Sequence, residues 1–229
     1  HMDYEFPPDA LDEPCDGIPF EFDVSSYLEK IRLLRKKTPD FELMTGVECG
    51  LKTTDSVIQK NSALGKDHAD DWDLVIGSLH LIHDKDPYYP SFWEGQLPKN
   101  CIREYFSSML SCLGAFHDFD TLGHMDYIVR YAPEGFVYSP ADYQDITDEI
   151  LRFLIRKDIA LEINSSGLSS ASGCVNPHPD LIRRYTALGG GLITIGADAH
   201  VPERIALGFS KVETICQASG LHRYVTFSK

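Results

Sequence analysis

An α/β fold built on parallel strands is predicted for this chain of 229 residues by three observations. Short runs rich in Val, Ile and Leu alternate with longer amphipathic stretches at least five times. The spacing of those runs, roughly 30 to 45 residues, is close to one strand-helix unit. The glycine cluster in "GGGLITIG" is the punctuation expected where a helix hands over to a buried strand. Such alternation argues for right-handed crossovers in a barrel or an open doubly wound sheet, and residues 1–229 read as a single domain with no marked boundary.

The first 25 residues, rich in Pro and Asp, read as an extended loop. Ser25 and Ser26 can cap a helix whose apolar stripe is Tyr27, Leu28, Ile31 and Leu34. "FELMTGVE" (41–48) reads as a strand, followed by a polar helical stretch and a strand at "DWDLVIGSLH" (71–80). A helix over 98–114 precedes a third strand ending in "DTLGHMD" (120–126). Helix over 141–156, strand over 158–164, helix over 179–188 and strand over 192–197 complete the series.

The 21 Lys+Arg against 35 Asp+Glu give a net charge of −14, which repels nucleic acid and anionic lipid. "KIRLLRKK" reads as the solvated face of one helix. No run approaches the roughly 18 apolar residues of a membrane span, and no signal-peptide pattern is seen, so a cytoplasmic protein is expected. The six cysteines form no C-x-x-C pair and read as buried thiols, with Cys49 notable for following an acid.

Polar groups able to hold a metal or substrate finish five successive strand candidates: Glu48, His80, His124, Asn164, and Asp198 with His200. Three imidazoles and two carboxylates suit Zn²⁺, Mn²⁺ or Fe²⁺, and without a cation Glu48 and Asp198 would repel each other. His68, His117, His178 and His222 do not share that position, whereas His83 is a candidate for the mouth of the site.

"GVE" ending at Glu48, "GSLH" ending at His80, "GHMDYIVRY" from Gly123, "LEINSSGL" from Leu161 and "DAH" from Asp198 resemble the polymerase and histidinol phosphatase (PHP) superfamily. "GHMDYIVRY" and "LEINSSGL" favour its histidinol-phosphate phosphatase branch. The resemblance implies a distorted (β/α)7 TIM-like barrel with two to three divalent ions. A metal-bound hydroxide would hydrolyse L-histidinol phosphate to L-histidinol and phosphate in histidine biosynthesis. Glu48 would bridge two ions, Asp198 hold the first, His80 and His124 complete the second, and His200 bind the third.

The family's first-strand H-x-H is absent, and "HMDYEFPP" resembles the family's text just after the Asp of the D-H pair that ends its second strand, which implies that His1 is the histidine of that pair and a further metal ligand. The first strand and its ligands are therefore expected to lie outside this chain. Arg130 is the expected phosphate contact, because a guanidinium fork matches phosphate oxygens. Asn164 would bind substrate or support the site, and Asp126 would orient the ligand shell or cap a helix. Tyr127 and Trp93 are candidates for packing on the substrate ring or in the core. Two alternatives stay open: a phosphoesterase for a nucleotide or sugar phosphate, and a catalytically silent metal-binding module. The oligomeric state is not legible.

Overall fold

Side chains on a strand alternate between faces, so a parallel sheet with helices on one side needs an apolar outer row and tolerates a polar inner one. The computed structural model, which describes residues 1–12, 20–170 and 172–227, has this arrangement. Strands β1 (Gly46–Gly50), β2 (Leu74–Ser78), β3 (Thr121–Leu122), β4 (Ala160–Asn164) and β5 (Ile193–Gly196) form one five-stranded sheet in sequence order. All four pairings are parallel. Their register puts Val47, Cys49, Val75, Leu122, Leu161, Ile163 and Ile193 on one face, packed into the apolar cores. Glu48, Ser78, Thr121, Glu162, Asn164 and Thr194 share the other.

That polar face is concave. The hydroxyls of Thr121 on β3 and Thr194 on β5 lie 2.8 Å apart although β4 runs between their strands. On a flat sheet, positions two strands apart are separated by about 9–10 Å, so the sheet curls around them as in a barrel. The resemblance implies seven strands with the first outside this chain, and the described residues supply the five read from the sequence. Beyond them, Met2 makes a parallel bridge with Cys49 at the β1 edge, and the Val225 N–H donates to the Ile193 carbonyl (2.8 Å) at the β5 edge.

The helices are α1 (Val24–Lys37), α2 (Asp55–Asp67), α3 (Pro90–Trp93), α4 (Pro98–Ala115), α5 (Gln144–Lys157), α6 (Pro179–Ala187) and α7 (Phe209–Ala218). On α4, Ile102, Tyr105, Phe106, Met109 and Leu113 recur every three or four residues and are fully buried against the outer face. Ile150, Leu151 and Leu154 do the same on α5.

Several boundaries correct the sequence reading. Asp23, not Ser25 or Ser26, caps α1: its carboxylate accepts the Ser26 N–H (2.6 Å). Only Leu28 of the expected stripe is fully buried, and Leu34 stays 47% exposed. The first strand begins at Gly46 rather than Phe41, because Phe41 and Met44 point to solvent. Glu48 therefore sits in mid-strand, while His80, His124 and Asp198 follow the ends of β2, β3 and β5 by two residues. The opening segment is not uniformly extended, since Pro8–Ala10 is a 3-10 turn. Cys49, Cys101, Cys112 and Cys216 are buried free thiols and Cys174 is half-buried, whereas Cys15 lies outside the described residues. No helix among the described residues is long and apolar enough to cross a membrane.

Candidate metal centre

The parallel alternation of the first residues with β1 builds one wall of the site. Met2 donates its N–H to the Glu48 carbonyl (2.7 Å) and accepts from the Gly50 N–H (2.9 Å). Its side chain enters the apolar cluster, so the flanking His1 and Asp3 face the concave side. Gly50 makes room: a Cβ there would lie 1.9 Å from Asp3 Oδ1.

Glu48 Oε1 is the focus of the site, lying 3.2 Å from His80 Nε2 and 3.1 Å from His124 Nε2. Glu48, His80 and His124 form one group whose ligand atoms all lie within 4.8 Å of one another, and His1, Asp3 and His80 form another. His80 joins the two, with Nδ1 2.8 Å from Asp3 Oδ1, and His1 Nδ1 contacts Asp3 Oδ2. The sequence singled out all of these except Asp3.

Burial opposes ionisation of Glu48, but its bonds to His124 and His80 hold the carboxyl well below its ordinary range. Burial likewise opposes charge on His80, and the Asp3 carboxylate overrides it, raising the imidazole well above its usual value. Asp3 itself is lowered to about 2, since His80 and His1 outweigh its own burial. Burial, with Glu48 and Asp3 nearby, pushes the Cys49 thiol up to about 12, which leaves it unreactive.

The donor set fits divalent ions. Two imidazole nitrogens converge on one carboxylate oxygen, and buried His124 Nδ1 has no hydrogen-bond partner among the described residues. Neutral imidazoles and ionised carboxylates are the ligands that borderline divalent cations take.

Asp198 and His200 belong to neither ligand group. Asp198 faces Arg130, whose Nη1 donates to its Oδ2 (3.1 Å); the same guanidinium donates from Nε to Asn176 Oδ1 (2.6 Å) and from Nη2 to Asn164 Oδ1 (3.2 Å). Three of five N–H groups are thus used, leaving one on each terminal nitrogen, a pair able to meet two phosphate oxygens. Burial works against charge on Asp198, but the neighbouring His124 and Arg130 hold its carboxyl below the ordinary range. His200 is exposed at the rim, its ring centroid 6.3 Å from that of His1.

His124 and Asp198 both adopt positive φ, 20° and 50°. Non-glycine residues held there mark positions that the surrounding structure over-determines. For His124 the clamp is Glu162, buried in mid-β4, whose Oε2 accepts the His124 N–H (2.9 Å) and the Asn164 side-chain amide (3.1 Å). Burial pushes the Glu162 carboxyl up. Sequence reading missed Glu162, although its place two residues before Asn164 puts both on one strand face. It also missed Asn176, which links Arg130 to Asp126: its amide donates to Asp126 Oδ1 (2.5 Å), and the His178 N–H donates to Asp126 Oδ2 (2.8 Å). Asp126 therefore acts at long range through Asn176, with no side-chain cap of its own helix.

Tyr127 packs against His124 (centroids 4.8 Å apart) and His80 (5.7 Å). Trp93 lies in the core instead, its indole N–H bound to the Pro87 carbonyl (2.9 Å), because α3 turns it inward. His83 is exposed, pairs with Glu104 and does not line the site's cavity. Ligand groups, Arg130, Asp86, Tyr88 and Tyr131 surround a cavity of about 250 Å³. Larger hollows of about 1030 and 990 Å³ lie elsewhere, but neither brings together any of these ligands.

A curled parallel sheet gathering His, Asp and Glu at its strand ends is the architecture of a metal-dependent hydrolase class, and the chain belongs to the PHP domain family, which it matches over residues 1–166. It is 33% identical over 201 residues, 87% of this chain and 74% of the relative, to a probable histidinol-phosphatase of Clostridium acetobutylicum. It is 30% identical over 237 residues, 100% of this chain and 81% of the relative, to a histidinol-phosphatase of Lactococcus lactis subsp. lactis. Among solved structures, it resembles the histidinol phosphate phosphatase of Lactococcus lactis complexed with zinc, L-histidinol and phosphate. The TM-score is 0.85 at 29% identity, covering 100% of this chain and 82% of that one. A putative histidinol phosphatase from Listeria monocytogenes shares the fold, with a TM-score of 0.67 at 16% identity.

Proposed function

We propose that this protein is a metal-dependent phosphatase that hydrolyses L-histidinol phosphate, water and the ester yielding L-histidinol and inorganic phosphate. The observation that carries the reading is the convergence of His80 and His124 on Glu48 beside a guanidinium with two spare N–H groups. Homology to histidinol-phosphatases over the whole chain supports the substrate.

Glu48, His80, His124, His1 and Asp3 are the residues that would hold the ions, zinc among the candidates, with Asp198 and His200 at the edge of the same cavity. Divalent ions supply Lewis-acid charge to phosphoryl oxygens and acidify coordinated water. Arg130 binds two phosphoryl oxygens through its unused N–H groups and sets the ester's orientation. Asn164, Asn176 and Asp198 fix the guanidinium plane, so the fork is preorganised rather than recruited. Asp198, kept ionised at the cavity, is placed to take the proton of the attacking water. Tyr127 shields the imidazoles of His80 and His124 from solvent. Local positive charge is needed because the chain as a whole carries −14.

The test is phosphate release from L-histidinol phosphate, nucleotides and sugar phosphates by protein loaded with Zn²⁺ or Mn²⁺. Preference for histidinol phosphate supports the reading. Preference for a nucleotide, or metal uptake with no turnover of any ester, would replace it by one of the two alternatives.

A further inference from the structure

A carboxylate in the middle of a strand is costly to bury, and an apolar side chain would fill the same space without that cost. Glu162 nonetheless lies in mid-β4, only 6% exposed. The neighbouring strand makes way for it, since a Cβ at Gly196 would lie 1.9 Å from Glu162 Oε1. Both N–H groups that its Oε2 accepts belong to the site, and to different halves of it. One is the backbone N–H of His124 (2.9 Å), whose imidazole converges on Glu48 and whose φ is 20°. The other is the side-chain amide of Asn164 (3.1 Å). Asn164 is 1% exposed, and its Oδ1 accepts from Arg130 Nη2 (3.2 Å), the Ser166 N–H (3.0 Å) and Ser166 Oγ (2.7 Å). Its amide nitrogen has Glu162 as its one acceptor among the described residues.

We infer that Glu162 is a positioning residue that sets the separation between the His124 imidazole and the Arg130 guanidinium, through one oxygen shared by the His124 backbone and the Asn164 amide. This deepens the phosphatase reading and rests on it. A phosphoryl group has to meet the imidazole cluster and the guanidinium fork together, and a misplacement of about 1 Å between such groups can cost about a hundredfold in rate. Glu162 acts on that separation from behind, through His124 on one side and Asn164 on the other. Its length matters as much as its oxygen. Aspartate is one methylene too short to serve both N–H groups, whereas the single oxygen of a glutamine amide can accept both.

The experiment compares wild type saturated with Zn²⁺ against Glu162→Met, Glu162→Gln, Asn164→Ala and the double variant Glu162→Met/Asn164→Ala. Calorimetry with inorganic phosphate reads the phosphoryl end without turnover, competition with a chelator reads zinc affinity, and circular dichroism confirms folding. Glu162→Met fills a similar volume but accepts no N–H. It is expected to bind phosphate roughly tenfold more weakly, the value of one hydrogen bond to a charged group. Its zinc affinity should fall roughly tenfold to a hundredfold, as when a group that orients a ligand is removed. Glu162→Gln should stay within about threefold of wild type on both measures. The double variant should bind phosphate no more weakly than Asn164→Ala alone, because Glu162 reaches the guanidinium only through that amide. Glu162→Asp should show the losses of Glu162→Met, and takes its place in every comparison if the Met variant does not fold. Wild type that binds no phosphate, a folded Met or Asp variant with wild-type affinities, a Gln variant as weak as these, or additive losses in the double variant would each overturn the assignment. If phosphate and zinc follow these expectations while no ester is turned over, the catalytic reading fails and the role of Glu162 stands.

Discussion

Replacing Arg130 separates recognition of phosphate from maintenance of the fold. Its side chain is only 7% exposed and satisfies acceptors on Asp198, Asn164 and Asn176. Arg130→Ala leaves all three short of a donor. Breaking a buried ion pair by removing one partner costs about 3–5 kcal/mol, and the 19% exposure of Asp198 places this case near the lower bound. For a chain of this size 1 kcal/mol shifts Tm by about 2–4 °C, so a fall of about 6–12 °C is expected by calorimetry. Arg130→Lys is the sharper variant, because it keeps the charge and can still reach Asp198 but cannot present a planar fork. Losing a preorganised donor pair costs about 3–4 kcal/mol in the transition state, which corresponds to a fall in kcat/KM of roughly a hundredfold to a thousandfold. The assay is steady-state phosphate release at fixed metal loading, with circular dichroism to confirm folding. A folded Arg130→Lys enzyme within twofold of wild type would refute the role given to the fork.

Metal uptake should be proton-linked. In chelator-stripped protein, Asp3 and Glu48 keep the His80 imidazole protonated well above its usual range despite burial. The metal requires the neutral ring, so binding at pH 7 is expected to release a proton. Affinity should fall about tenfold for each pH unit below the His80 pKa, a consequence of one-proton linkage. Calorimetry in buffers of different ionisation enthalpy reads this directly, and identical apparent enthalpies would count against it. Gly196→Ala should unsettle the site from below, because the added Cβ would lie 1.9 Å from Glu162 Oε1 and displace the carboxylate that holds His124. A loss of about 1–3 kcal/mol is expected for such overpacking, measured by urea unfolding. Gly114→Ala in α4, where nothing lies within 4 Å, should instead gain about 0.5–1 kcal/mol. Equal midpoints for the two variants would remove Glu162 from the account.

The legible part of the site was the part that ends strands. His80, His124 and Asp198 stand just beyond β2, β3 and β5, where a change from apolar to polar residues is visible in one dimension. Glu48 was found for a partly wrong reason, since it lies within β1 and reaches the site by facing the concave side. Glu162 and Asp3 went unseen because each is buried among residues that look like ordinary strand or loop text. Asn176 was beyond reach for a different reason. It owes its role to Asp126 and Arg130, 50 and 46 residues away, and separations of that kind are set by how the loops return. The parallel sheet was legible from the alternation of apolar runs. Its strand lengths were not, because exposure of Phe41 and Met44 is decided by what the rest of the chain leaves uncovered.

The bridge between Met2 and Cys49 makes the edge of the sheet part of the chemistry. A slip of one residue in that pairing would turn Met2 toward the ions and send His1 and Asp3 into the oily side. Pairing of residues 1–3 with β1 and completion of the cluster are therefore a single event, and a substitution that disturbs those three residues should be felt as altered metal retention before it is felt as unfolding.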